Sequence, residues 1–398
     1  MTDQKLPATV KGLSLVSFFN DIASEMIYPL LPAFLTGTLG ASAVSLGALD
    51  GAADLTSAGL KWITGYLADR PGWRRPLILV GYGTAVLVRP LIAVANAAWQ
   101  VIGFRVIDRV GKGLRTAPRD AMLAESTPPA LLGRAFGFHS AADHLGAMLG
   151  SLVAWYVVSQ GVAVRTVIGW SAAPGILAVV VLAVVLKGTQ RPRDEKRGTR
   201  DGSPGESVSR PSSLVSRPAV TTPIVLLALL TLFRLPETLL LFRLQQLGVP
   251  IAVIPLAWAG LHVVRSSASY PAGRLNDRFG PDLLIGASAA LFAFCLCLLG
   301  KPLTEFWALA VFLLFGLFAA LTQPAERALV AKLSPASLGK GFGVYHGLTG
   351  FAALPAGLAF GWIYQRSGAS DAIWLSGAGV GVMGLVWIWY RRAGVALQ

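Results

Sequence analysis

Charge is what this chain has least of. Only 14% of its 398 residues are Asp, Glu, Lys or Arg, against about 25% in an ordinary soluble domain. With 54% hydrophobic residues and a mean hydropathy of +0.61, that deficit argues against a soluble globular protein and for a chain that lives in a bilayer. Cysteine is nearly missing: Cys295 and Cys297 are the only two. Two positions apart on a helix, they point in different directions, so core packing is expected rather than a disulfide or a metal site. The sequence also lacks a nucleophile–base pair, a phosphate-cradling loop, a convergent set of metal ligands and a soluble domain. Enzyme or receptor chemistry therefore has little to stand on, and neither metal nor cofactor is expected.

Acidic residues are outnumbered, 20 to 34, for a net charge of +14. In a soluble protein that balance would suggest nucleic acid. Here the basic residues collect around 70–75, 187–217, 274–278, 332–340 and 391–392, while the connections near 38–43, 95–98, 159–163, 247–252 and 367–370 hold almost none. Alternation of this kind sets orientation in a membrane, with both termini and the long central loop cytoplasmic, and no nucleic-acid partner is expected. The first apolar run contains Asp21 and Glu25 and shows no short apolar region with a small-residue cleavage site, so it reads as a span and not as a cleaved signal.

What is present is a succession of apolar stretches of about 20 residues, each long enough to cross roughly 30 Å of hydrocarbon. Such stretches must be helices, because unpaired backbone cannot face lipid. Hydropathy predicts twelve, near 12–37, 43–68, 76–95, 98–124, 133–158, 164–187, 222–247, 252–272, 281–300, 304–331, 338–364 and 371–390. Between the sixth and seventh, GTQRPRDEKRGTRDGSPGESVSRPSS is polar and rich in Pro, Gly and Ser, a composition that cannot bury a core. The expected organisation is an all-α membrane protein with a six-helix bundle over 1–187, a flexible cytoplasmic linker over 188–220 and a second bundle over 221–398.

The two bundles are related. GYLADRPGWRR at 65–75 is echoed by GRLNDRFG at 273–280, each read as a tight charged turn between apolar runs. TAPRDAMLA at 116–124 resembles TQPAERALVA at 322–331, and GRAFGFH at 133–139 resembles GKGFGVY at 339–345. Asp69 with Asp277, Pro118 with Pro324 and Phe136 with Phe342 keep one order and nearly one spacing, the mark of an internal repeat.

This organisation resembles the major facilitator superfamily along essentially the whole chain. Gly65, Leu67, Asp69, Arg70, Gly72, Arg74 and Arg75 match that family's signature between helices 2 and 3, with Pro71 and Trp73 as local variations. The resemblance implies two bundles rocking about a central small-molecule site, open alternately to each side. It also implies that the signature turn, with Gly273, Asp277 and Arg278 as its second copy, latches the cytoplasmic side closed. An acid such as Asp69 is stabilised near a helix N-terminus, while the arginines can pair with acids or lipid phosphates, or simply set topology. Helix 5 of the family's proton antiporters carries a glycine-rich motif with a central proline; LGAMLGS has Gly146 and Gly150 but no proline, and close helix packing explains those glycines equally well. Helix 4 of the family carries an arginine, for which RVIDRVGKGLR offers both Arg105 and Arg109.

Ionisable residues inside a membrane are costly and point to function. Asp21 and Glu25 lie one turn apart on helix 1, Asp50, Asp54 and Lys61 share a face of helix 2, and His139 and Asp143 are one turn apart on helix 5, followed by His144. On helix 4, Arg105, Arg109, Lys112, Arg115 and Arg119 form one basic stripe, with Asp108 inside the same helix. The stripe must line water or meet acids, for which Asp21, Glu25, Asp54 and Asp143 are on offer. These charges either form a fixed network or include a carboxylate that takes up and releases a proton as access alternates. The second reading is favoured, with Asp21 and Glu25 first, then Asp54 and Asp143. Arg115, Arg119, Asp120 and Glu125 are expected at the gate or the interface, with Glu326 and Arg327 in the matching place. His262 and His346 read as hydrogen-bonded core residues.

In the second half, Arg234 and Arg265 are candidates for an anionic group on a substrate, although Arg234 could instead pair with Glu237 three residues on. Phe18, Phe19, Tyr28, Trp258 and Tyr345 could line a partly apolar cavity. The expectation is a proton-coupled secondary transporter of the inner (cytoplasmic) membrane, with protons and a small molecule as its partners and lipid around it. Export of amphipathic compounds by antiport is favoured over uptake of a small metabolite by symport, and a monomer is the working expectation.

Overall fold

Backbone N–H and C=O groups in hydrocarbon must be satisfied within their own segment, and this chain meets the requirement with helices. The computed structural model describes residues 5–31, 34–39, 43–188, 218–250 and 253–396, and among these no strand occurs. Seven of the described helical segments are long and apolar enough to cross a membrane, such as Arg74–Val94 and Val164–Lys187. Others are too charged or too broken to qualify on composition alone; α1 (Ala8–Glu25) carries Lys11, Asp21 and Glu25 within 18 residues.

In chain order the first half comprises α1, α2 (Ala43–Ala68), α3 (Arg74–Val88), α4 (Ala98–Glu125), α5 (Leu132–Ser159), α6 (Val164–Trp170) and α7 (Ala172–Gly188). The second comprises α8 (Pro218–Leu232), α9 (Glu237–Gln246), α10 (Ile254–Phe279), α11 (Pro281–Leu299), α12 (Glu305–Leu333), α13 (Leu338–Ser367) and α14 (Ala369–Ala396). The sixth span is α6 with α7, the seventh α8 with α9. The first continues beyond α1 in a 3-10 turn (Tyr28–Leu30) and a π turn (Phe34–Thr38), and the third ends in a 3-10 segment (Arg89–Val94).

The predicted twelve spans are therefore present, several of them interrupted. Apolar composition runs straight through each interruption, which is why hydropathy cannot see it. Proline is the local cause at Pro236, where the chain leaves helical geometry between Phe233 and Pro236. Ser376 of α14 repairs the gap: its hydroxyl donates to the Phe233 carbonyl at 2.7 Å and accepts from the Leu235 N–H at 3.0 Å.

Equivalent pairs pack in the two halves. α1 lies against α5, α2 and α3 against α4, and α3 against α7; likewise α8 lies against α13, α10 and α11 against α12, and α11 against α14. Between the halves, α5 runs along α10 and α2 along α13. Of the expected linker, residues 189–217 lie outside the described residues. GRLNDRFG is not the tight turn that the sequence led one to expect: α10 continues through Phe279 and only Gly280, at φ 85°, turns the chain. In the first copy the helix stops at Ala68, and Gly72 at φ 82° makes the turn.

Candidate functional site

The two signature acids meet the opposite half. Asp69 accepts the Gly339 and Lys340 N–H groups, both at 2.7 Å, at the start of α13. Asp277 accepts those of Gly133 and Arg134, at 2.7 and 3.0 Å, at the start of α5, and pairs with the Arg134 guanidinium at 3.0 Å. A helix start presents unsatisfied N–H groups and a partial positive charge, so each carboxylate is an N-terminal cap borrowed from the other half. Close backbone approach makes these bonds reachable. A methyl group on Gly65 would lie 2.6 Å from the Gly339 carbonyl oxygen, and one on Gly133 would lie 2.5 Å from that of Gly273. Arg74 ties the turn down through Glu125 and the Ala68 carbonyl. Arg70 is exposed, Arg75 half-buried, and Arg278 stacks on Phe279.

Away from these clasps the halves enclose two adjoining lobes of about 460 and 530 Å³ that share Lys61, Lys112, Thr231, Arg234, Glu237 and Gly350. The first lobe adds Asp21, Arg115, Arg119, Asp143, Glu326, Arg327, Tyr345 and His346. The second adds Arg109 and an apolar wall that includes Leu55, Leu235, Leu354 and Leu358.

Pairing inside the cavity differs from expectation. Arg234 does not pair with Glu237: it reaches Glu326 of α12 at 2.8 Å, and Glu237 is held by Arg265 of α10 at 2.5 Å. The physical reason is the break at 233–236, which removes the helical face that a three-residue spacing assumes. Both second-half arginines are thus neutralised and neither is left over for a substrate anion. On α4 the stripe's ion pairs do not go to Asp21, Glu25 or Asp143 among the described residues. Asp108 takes Arg105 of its own helix at 3.2 Å and Arg89 of the 3-10 segment after α3 at 2.8 Å, and Asp120 takes Arg119 at 2.9 Å. Acids on the helix itself are nearer than acids across the bundle. Arg115 bonds the Gly81 carbonyl and covers Tyr82. Arg115, Arg119, Glu326 and Arg327, expected at the gate or the interface, line the first lobe; Glu125 sits with the turn.

Asp21 and Asp143 face the first lobe. Asp21 accepts from the Asn20 amide at 2.9 Å, and Asp143 has the His139 ring at 3.6 Å. Glu25 lies off both lobes, with its Cβ against Gly150, so Gly146 and Gly150 seat α5 on α1. The side chains of Asp50 and Asp54 lie outside the described residues. Tyr28 sits under Arg105 and Phe19 packs on Phe18, neither lining the cavity, whereas Tyr345 lines it and donates to Glu326 at 2.6 Å. Cys295 is buried and Cys297 exposed, both free.

Two contacts were not foreseen. Asp120, buried on α4, bonds His346 of α13 at 2.8 Å, so the two pseudo-equivalent acids Asp120 and Glu326 are bound by neighbouring residues of one helix. His144 of α5 meets His262 of α10, Nδ1 to Nδ1, at 3.2 Å. The repeat register aligns Asp120 with Glu326 and was the available signal for the first; no sequence signal joins the two histidines.

Comparison with known proteins agrees with this architecture. The Major Facilitator Superfamily profile matches residues 13–265 and 238–396. An uncharacterized MFS-type transporter of Methanocaldococcus jannaschii is 27% identical, covering 92% of this chain and 90% of that protein. The multidrug resistance protein MdtH of Cronobacter sakazakii is 25% identical, covering 92% and 90%. Among solved structures, the human organic anion transporter MFSD10 superposes with a TM-score of 0.75 at 17% identity over 96% of this chain and all of that one. The proton:xylose symporter XylE gives 0.69 at 15% over 96% and 94%. Twelve spans in two related halves around a charged central cavity, and a family match along nearly the whole length, make this chain a multi-pass membrane transporter of the Major Facilitator Superfamily.

Proposed function

We propose that the protein is a proton-coupled antiporter exporting small amphipathic compounds from the cytoplasm. Residues 1–187 and 221–398 rock about the central cavity, and 188–220 joins them. Its place is the inner membrane, with both termini and the two clasps cytoplasmic. The observation that carries proton coupling is a contrast among the cavity acids. Glu237 and Glu326 are each bound by an arginine, whereas Asp21 and Asp143 face the same space with no arginine or lysine within ion-pair distance among the described residues. Such a carboxylate can take a proton without breaking a salt bridge, and it can do so from whichever side the cavity opens to. Export is favoured over uptake by the multidrug resistance relatives, and symport is the alternative.

The test separates coupling from binding. Asp21→Asn and Asp143→Asn are expected to lose at least tenfold in transport driven by an imposed pH gradient in proteoliposomes. Exchange of labelled for unlabelled substrate at equal pH should persist. Full gradient-driven transport in both variants would overturn the assignment, and loss of exchange as well would reassign the acids to substrate binding.

A further inference from the structure

The second lobe carries basic charge that no described acid on its wall pairs with. Of the charged groups on its wall, Arg234 is taken by Glu326, Glu237 by Arg265, and Lys61 of α2 is engaged as well. Arg109 and Lys112 of α4 remain. Neither has an ion pair with a described residue, the Arg109 Nε is buried without a hydrogen-bond partner, and the Lys112 side chain is exposed to the cavity. The unpaired acids Asp21 and Asp143 line the first lobe, on which Lys112 also stands, while Arg109 lines the second alone. Two cations one turn apart, held in a half-enclosed space, are a site for an anion.

The rest of the wall says what the anion is attached to. Leu235 is buried, but Leu55, Leu354 and Leu358 at the lip are 50%, 37% and 70% exposed. These leucines stand on α2 and α13, which touch at Gly350, where an added methyl would lie 2.8 Å from the Ala58 Cβ. Beyond Gly350 the lobe is a slit walled by Leu55 of α2 and by Ala353, Leu354, Gly357 and Leu358 of α13, and an added methyl at Gly357 would lie 3.7 Å from Pro236. On a multi-pass protein, exposed leucine at mid-helix faces acyl chains. The lobe is therefore cationic at its inner end and apolar where it opens sideways.

We propose that the substrate is an amphipathic anion, its acidic head on Arg109 and Lys112 and its apolar body in the slit between α2 and α13, open to the bilayer. This rests on the reading of the cavity as the substrate site and adds the sign of the substrate's charge and its route. The anion could come from the membrane or from water, and the experiment distinguishes the two.

Protein in nanodiscs of zwitterionic lipid is titrated with three probes: a fluorescent fatty acid, the same chain with a trimethylammonium head, and water-soluble 1-naphthalenesulfonate as competitor. The fatty acid is expected to bind at least tenfold more tightly than the cationic chain. Lys112→Gln should lose at least tenfold, and Lys112→Arg should keep the affinity. Leu358→Trp, which fills the slit, should weaken the fatty acid while sparing naphthalenesulfonate. Competition by naphthalenesulfonate shows that aqueous anions reach the same cations, and its failure assigns the site to membrane-borne anions. Equal binding of the two chain heads, or no loss in Lys112→Gln, overturns the anion assignment; an unaffected fatty acid in Leu358→Trp overturns the lateral route. Uphill movement of the cationic chain in proteoliposomes would overturn the anion and leave proton coupling standing. Movement of the bound fatty acid that ignores the pH gradient would do the reverse.

Discussion

At the scale of single residues, the most informative positions are those whose partner lies in the other half. Asp69 and Asp277 each satisfy two N–H groups that α13 and α5 would otherwise leave open. Capping of this kind contributes about 1 kcal/mol per site, a factor of about five in an opening equilibrium. Asp69→Ala and Asp277→Ala should each raise labelling of a Thr322→Cys probe from the clasp side about fivefold, in a background lacking Cys297. The double variant should approach the product. Unchanged labelling would show that backbone packing alone holds this side shut. That Asp69 would sit at a helix N-terminus was readable from its chemistry; that the helix would be α13 was not. Nothing in a local stretch names a partner 270 residues away. Asp120 and His346 make the same point more sharply, because position along α4 suggested the gate or the interface for Asp120 and only the packing of α13 brings His346 to it.

At the scale of elements, the spans were legible and their breaks were not. A hydropathy window averages over the stretch 233–236, where Leu, Phe and Pro keep the mean high while the backbone changes course. Missing that break produced the wrong partner for Arg234. The break is held by Ser376, which serves both the Phe233 carbonyl and the Leu235 N–H. Ser376→Ala leaves both without a partner in a buried place, a cost of about 1–3 kcal/mol. The variant should unfold at a visibly lower temperature in detergent, while Ser376→Thr, which keeps the hydroxyl, should lie between the two. An unshifted midpoint for the alanine variant would mean the kink needs no support from α14. The basic stripe on α4 was visible as a pattern of spacings, and its burial or exposure to a cavity followed from the cost of charge in lipid. Its division into paired and unpaired members did not, since that depends on which acids rotate into reach.

For the molecule as a whole, the repeat written in Asp69 and Asp277, Pro118 and Pro324, and Phe136 and Phe342 was enough to give two related halves. The cavity between them has no sequence of its own; it is the space left between the halves away from their close glycine contacts. The clasped side is different in kind. Each half supplies one acid and one helix start, and each receives the same from the other, so the contact is isologous in the sense used for two-fold dimers. Such a surface is complementary to itself, and its geometry needs no covalent connection to specify it. Residues 1–187 and 221–398 produced as separate chains in one membrane should therefore find each other and co-purify. Asp69→Arg with Asp277→Arg should abolish that assembly, and retention of the complex in the double variant would show that recognition resides elsewhere. A half that carries both members of its own lock is also a half that could once have closed against a copy of itself.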